Sequence, residues 1–123
     1  MSFQFTAIDH VQLAAPKDCE GAARKFFVEL LGMEEIEKPV ELKKNGGIWV
    51  TAGNVQLHIG VESDFKPAKK AHPALCVSSL SALQKHLELH HIPFQNDDKI
   101  PGVARCFIYD PFGNRIELID EKK

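Results

Sequence analysis

Three short segments of this 123-residue chain each place one metal-capable side chain inside an otherwise apolar, strand-like run: His10 in IDHVQLAA, His72 in AHPALCV and Glu117 in GNRIELID. Two imidazoles and a carboxylate form a workable facial set for a divalent cation and leave coordination positions open for substrate and water. A single strand histidine is more often a hydrogen-bonded structural residue. The metal reading therefore depends on the elements that position the three.

Those elements repeat. Residues 6–15 alternate as a strand, and Asp18 then offers an N-cap to a helix whose apolar residues Ala22, Ala23, Phe26, Phe27, Leu30 and Leu31 recur at helical spacing, with Gly32 as its stop. A short strand near Glu34 to Glu37, a strand around Ile48 to Thr51, a turn at Gly53-Asn54 and a strand from Val55 to Gly60 follow. The second half has a strand from Pro73 to Val77, a Ser78/Ser79 cap and a helix carrying Leu80, Leu83 and Leu87. After it come a short strand near Pro93 to Gln95, a strand from Ala104 to Tyr109, the turn Asp110-Pro111-Phe112-Gly113-Asn114 and a closing strand from Arg115 to Ile119. His10 and His72 open matching halves, and Gly53-Asn54 and Gly113-Asn114 fall at matching turns about 60 residues apart. The chain thus reads as a single domain of two βαβββ modules, about 6–60 and 72–120, joined by a polar linker at 61–71 that contains Pro67.

Strand parity decides which side chains share a face. Val11, Leu13, Val55, Leu57, Ile59, Leu75, Val77, Ile116 and Leu118 fall on one side, which is expected to carry the helices. His10, Gln12, Gln56, His58, His72, Arg115 and Glu117 fall on the other, and a sheet face with so many polar groups predicts a lined cavity.

Composition narrows the partners. A net charge of −2 with scattered Lys and Arg leaves no basic stripe of the kind nucleic acid requires. No apolar run approaches the ~20 residues of a membrane-spanning helix. The opening MSFQFTAIDH has neither a basic start nor a long apolar stretch, so the sequence predicts no secretory signal and a cytoplasmic protein. Cys19, Cys76 and Cys106 form no C-x-x-C pair and are expected to be reduced thiols, buried at Cys76 and Cys106. A chain this small favours association, and a homodimer is the default expectation.

The paired modules, the opening IDHVQLA, the AHPALCV strand and above all the closing DPFGNRIEL resemble the vicinal oxygen chelate superfamily, also called glyoxalase/bleomycin resistance/dioxygenase. The resemblance covers essentially the whole chain. It implies an α+β fold in which a curved mixed sheet encloses a metal and small-molecule pocket, with helices on the outer face, usually in a homodimer. It also implies metal ligands at His10 and His72 from the first strand of each half and at Glu117 from the last strand. Glyoxalase I members add a glutamate from the last strand of the first half. Here that segment reads VQLHIG, with Gln56 in the glutamate's place and His58 two residues on. Imidazole binds first-row metals far better than a neutral amide, so His58 is expected as the fourth ligand or as a substrate contact. Glu117 then remains the only acidic base.

Around this set, Arg105 offers a guanidinium fork for an anionic substrate and lies in an apolar strand where an unpaired charge would be costly. Arg115 reads better as a strand residue paired with Glu117 or a neighbouring carboxylate. Gln56 and Trp49 are placed against the substrate, although strand aromatics such as Trp49, Phe107 and Tyr109 also pack cores. His86, His90 and His91 read as a solvated helix surface. By resemblance, then, the chain is a small-molecule-binding, divalent-metal-dependent lyase or isomerase of glyoxalase type, taking zinc, nickel, manganese or iron. The alternative is non-catalytic sequestration of a drug or metabolite, as in the bleomycin-resistance branch.

Overall fold

A computed structural model describes residues 1–121 of the chain. The first module comprises β1 (Val11–Ala15), α1 (Glu20–Ala23) continuing into a π-helix (Arg24–Leu30), β2 (Glu34–Ile36), a one-turn helix α2 (Val40–Lys43), β3 (Ile48–Ala52) and β4 (Val55–Val61). The second comprises β5 (Ala74–Val77), α3 (Leu80–Leu89), β6 (Gln95–Asp97), β7 (Arg105–Tyr109) and β8 (Arg115–Asp120). The strands form two four-stranded mixed sheets, ordered β1-β4-β3-β2 and β5-β8-β7-β6, so the two βαβββ modules have the same topology. In each, the first strand lies at an edge and runs parallel to the last.

Leu13, Ile48, Val50, Leu57 and Ile59 from the first sheet are buried in one cluster with Cys106, Ile108, Ile116 and Leu118 from the second, and Phe26, Phe27, Leu80 and Leu87 of the helices fill it. The expected apolar face thus carries the helices. Each of these large side chains contributes about 1.5–3 kcal/mol on burial, so the modules stabilise each other through one core. The first helix departs from α geometry because its apolar pairs at 22/23, 26/27 and 30/31 recur every four residues, longer than the α repeat of about 3.6. Wider turns keep Ala23, Phe26 and Phe27 buried over the core and Leu30 and Leu31 at its margin, while Ala22 is exposed, with Leu31 N–H donating to Phe26 O at 3.0 Å.

Several expectations are corrected. The strand read over residues 6–15 is a strand only over Val11–Ala15, since residues 6–10 have no neighbouring strand among the described residues to bond with. Asp18 is not the N-cap: Cys19 holds that position, and Asp18 sits one residue earlier at φ 63°. Ser79 does cap α3, its Oγ accepting from Ala82 N–H at 3.2 Å. Cys76 is exposed rather than buried: its parity is opposite to that of the inward-packed Leu75 and Val77, and its strand lies at the edge of the sheet. His86 is not plainly solvated: its Nε2–H donates to Leu30 O at 2.6 Å and ties α3 to the end of the first helix.

The DPFGN turn joins the modules a second time. Asp110 accepts from the backbone N–H of Phe112 (2.9 Å) and Asn114 (2.8 Å) and from Asn114 Nδ2 (2.8 Å). Asn114 Nδ2 also donates to Ala14 O at 2.8 Å. The last hairpin of the second module is therefore clamped to the first strand of the first. No helix among the described residues is long and apolar enough to cross a membrane.

Candidate metal and substrate site

The polar faces of the two sheets each carry a partial constellation. On the first, the β-ladder aligns Gln12, His58 and Trp49 in one row. The His58 imidazole is sandwiched between the Trp49 indole, at 3.7 Å and 4°, and the His10 imidazole, at 3.9 Å and 15°. Gln56 Nε2–H donates to His58 Nε2 at 2.9 Å, and Asp9 Oδ1 lies 2.8 Å from His10 Nδ1. Burial, reinforced by neighbouring His10, pushes the His58 pKa down, so this imidazole is held neutral.

Ring-nitrogen lone pairs lie in the ring plane. The nearly parallel planes of His10 and His58 therefore do not converge on one point, and in this arrangement the two do not ligate one ion together. His58 is instead placed with Trp49 and Gln56 as a flat, half-polar wall.

On the second sheet, Glu117 stands between Ala74 of β5 and Phe107 of β7. Its Oε1 is 2.8 Å from His72 Nε2, and its Oε2 accepts from Arg105 Nη1 at 2.9 Å. Arg105 Nη2 donates to Asp97 Oδ1 at 2.8 Å. Burial pushes the Glu117 carboxyl up, but the hydrogen bonds from His72 and Arg105 outweigh it and hold the group below its ordinary range. The pairing with Glu117 that the sequence suggested for Arg115 thus belongs to Arg105. Arg115 instead lies over the Phe107 ring at 3.9 Å, and His72 meets the same ring edge-on at 5.4 Å. Asp97, unremarked in the sequence, is brought in by the β6–β7 register that sets it opposite Arg105; parity in a three-residue strand is too short a signal to find it.

The fit of this half to a metal can be judged from His72. Its Nδ1 is 2.9 Å from Lys70 O while its Nε2 faces Glu117 Oε1. Neutral imidazole has a single N–H and cannot donate to both oxygens. A proton or a metal ion at Nε2 completes the pair. Two ligands bound at ordinary zinc distances and the tetrahedral angle lie about 3.3 Å apart, so the pair would open by about half an ångström to take an ion. An Nδ1–H bound to a backbone carbonyl is also the usual means of aiming Nε2 at a metal. His72 and Glu117 fit such an ion; the Arg105 guanidinium on the other carboxylate oxygen reduces the charge available to it.

The structure thus brings together His10, His58, Gln56 and Trp49 in one group and His72, Glu117 and Arg105 in another. Among the described residues, no group of three or more His, Cys, Asp or Glu side chains is arranged to hold a metal ion within one chain.

Paired βαβββ modules with an imidazole opening each and a carboxylate closing the second define a two-module α+β protein built around a polar sheet face. The family model of the Glyoxalase/Bleomycin resistance protein/Dioxygenase superfamily matches residues 7–118, and the chain belongs to that superfamily. A comparison with curated proteins finds none that matches. Among solved structures, one assigned to the glyoxalase family from Bacillus anthracis is 49% identical, covers 99% of this chain and 100% of its own, and superposes with a TM-score of 0.96. A glyoxalase family protein from Enterococcus faecalis is 27% identical over 94% of this chain and 98% of its own, with a TM-score of 0.72. A lactoylglutathione lyase from Agrobacterium tumefaciens is 20% identical over 95% of each chain, with a TM-score of 0.71, and shows the shared fold alone.

Proposed function

We propose that this protein is a divalent-metal-dependent lyase or isomerase of glyoxalase type that works as a homodimer, each site combining His10 of one copy with His72 and Glu117 of the other. The observation that carries this reading is the His72–Glu117 contact: an imidazole whose two nitrogens both face oxygens, one of them the Glu117 carboxylate at 2.8 Å. The dimer is supported by the division of the ligands into two incomplete groups within one chain. When bound, the ion supplies Lewis-acid stabilisation of negative charge on adjacent substrate oxygens. His58, Gln56 and Trp49 face the substrate rather than the metal, with the neutral His58 Nδ1–H as a donor. Glu117, ionised by its neighbours, accepts a substrate proton and returns it at another carbon or oxygen. Three free thiols accord with a reducing, cytoplasmic setting.

A second reading, sequestration of a small molecule without turnover, has one observation in its favour. Arg105 neutralises the carboxylate on which the metal and the proton transfer both depend.

Complementation tests the first reading. Tag-free His10→Ala and Glu117→Ala chains are each expected to bind no metal at the site. Refolded together, they form a mixed dimer with one intact site, expected to hold one ion per two chains and to regain part of the activity on a glyoxal hemithioacetal. No metal in the parent protein after incubation with zinc, nickel, manganese or ferrous iron would overturn the metal reading. Full metal in a monomeric parent would overturn the shared site.

A further inference from the structure

We infer that Arg115 is an oxyanion-binding residue, and that the ligand of this site carries a carboxylate, phosphate or phosphonate group held beside His72. The inference rests on the proposed function in taking the His72–Glu117 side of the sheet as the substrate side, and it names the chemical class of the substrate.

The two arginines of this face differ in their commitments. Arg105 has both terminal nitrogens bonded to carboxylates, at Glu117 and Asp97, so its charge is already balanced by the protein. Arg115 makes no ion pair and no side-chain hydrogen bond among the described residues; the Nε of each arginine is buried without a partner there, so the difference lies in the terminal nitrogens, bound to carboxylates in Arg105 and uncommitted in Arg115. Its guanidinium is held against the Phe107 ring at 3.9 Å, which fixes the plane of the fork and spares it part of the ordering cost of binding. A charged group with buried hydrogen-bonding capacity and no protein acceptor is costly to maintain unless a ligand supplies the acceptor.

Arg115 opens onto a cleft of about 730 Å³ between the edges of β1 and β5, a size suited to a small organic ligand. The other polar side chains of that cleft are Gln12, Glu62, Lys66, His72 and Asn114. Glu62 is the one carboxylate among them and is exposed; Asn114 has its amide nitrogen bound to Ala14 O and Asp110. Lys66 and Arg115 thus leave the lining with an excess of positive charge. A guanidinium fork with a free donor pair matches a planar carboxylate or two oxygens of a tetrahedral phosphorus acid. Because His72 and Arg115 touch the same Phe107 ring, one compact ligand reaches both. Arg105 then acts on Glu117, and Arg115 acts on the substrate.

The test uses metal-free full-length protein, so that it does not depend on whether a metal site exists. Phenylphosphonate and benzoate are titrated by calorimetry into the parent, Arg115→Gln and Arg115→Lys, with thermal unfolding as a check on folding. The parent is expected to bind at least one of the two anions, Arg115→Gln to bind it about tenfold or more weakly, and Arg115→Lys to fall between. Preference for phenylphosphonate marks a phosphorus acid and preference for benzoate a carboxylate. Failure of the parent to bind either, or equal binding by a folded Arg115→Gln, would overturn the assignment. Either result leaves the metal complementation outcome untouched, and a metal-free parent that binds phenylphosphonate through Arg115 would uphold this inference even if the metal reading failed.

Discussion

The Trp49 indole and the His58 imidazole lie parallel, with 3.7 Å between ring centroids and 4° between planes. Because Trp49 is the chain's single tryptophan, its fluorescence reports the charge of His58. Burial, and then His10, disfavour the imidazolium. The quenching step on acidification is therefore expected below the ordinary histidine midpoint and absent from His58→Gln. The same shift links to stability. The unfolded chain takes up this proton first, so the contribution is fully present above the unfolded histidine pKa and lost as pH falls through the folded one. A Trp49 titration at or above the ordinary midpoint would contradict this.

Metal retention should depend on the Glu117 carboxylate, which faces His72 Nε2 at 2.8 Å. A neutral amide is a far poorer ligand than a carboxylate, so calorimetric titration with zinc is expected to show binding by Glu117→Gln about tenfold or more weaker than by the parent. Equal affinity in the two would contradict this.

Gly47 is the position least tolerant of a side chain. It has φ 81°, and a Cβ there would stand 1.9 Å from Ile59 O. Gly47→Ala forces β3 away from β4, whose register carries Trp49 onto His58. A loss of about 3 kcal/mol or more is expected in chemical denaturation. Gly53→Ala, with a positive φ but nothing within 4 Å, should cost distinctly less.

Removing the carboxylate of the DPFGN turn leaves the Phe112 and Asn114 N–H groups without their acceptor and frees Asn114 from one of its anchors. Asp110→Ala should lower stability by about 1–3 kcal/mol. Burial pushes the Asp110 carboxyl up in spite of those bonds. Its ionisation therefore opposes folding: the contribution is favourable below the unfolded aspartate pKa and is lost as pH rises through the folded one. Denaturation from pH 3 to pH 7 should show the difference between parent and variant changing in that sense.

The internal repeat was legible because matching residues, His10 with His72 and Gly53-Asn54 with Gly113-Asn114, stand in the same order in both halves. Alternation likewise separated Leu13, Leu57, Ile116 and Leu118 from His10, His58, His72 and Glu117, since side-chain direction in a strand follows from parity alone. Strand ends were less legible: residues 6–10 alternate like Val11–Ala15 but find no ladder partner among the described residues, and hydrogen-bond partners lie outside any local window.

What the sequence by itself determined was the module, its duplication, the superfamily and the polar face with its metal-capable residues, all carried by periodicity and short motifs. Only the tertiary structure decided how those residues are grouped. It stacked His10 on His58, joined His72 to Glu117, and gave Glu117 to Arg105 rather than Arg115. The reason is that contacts across a sheet are fixed by register between strands distant in sequence and by side-chain reach. Arg105 and Arg115 are indistinguishable as letters, yet one is closed by two carboxylates and the other lies open over Phe107.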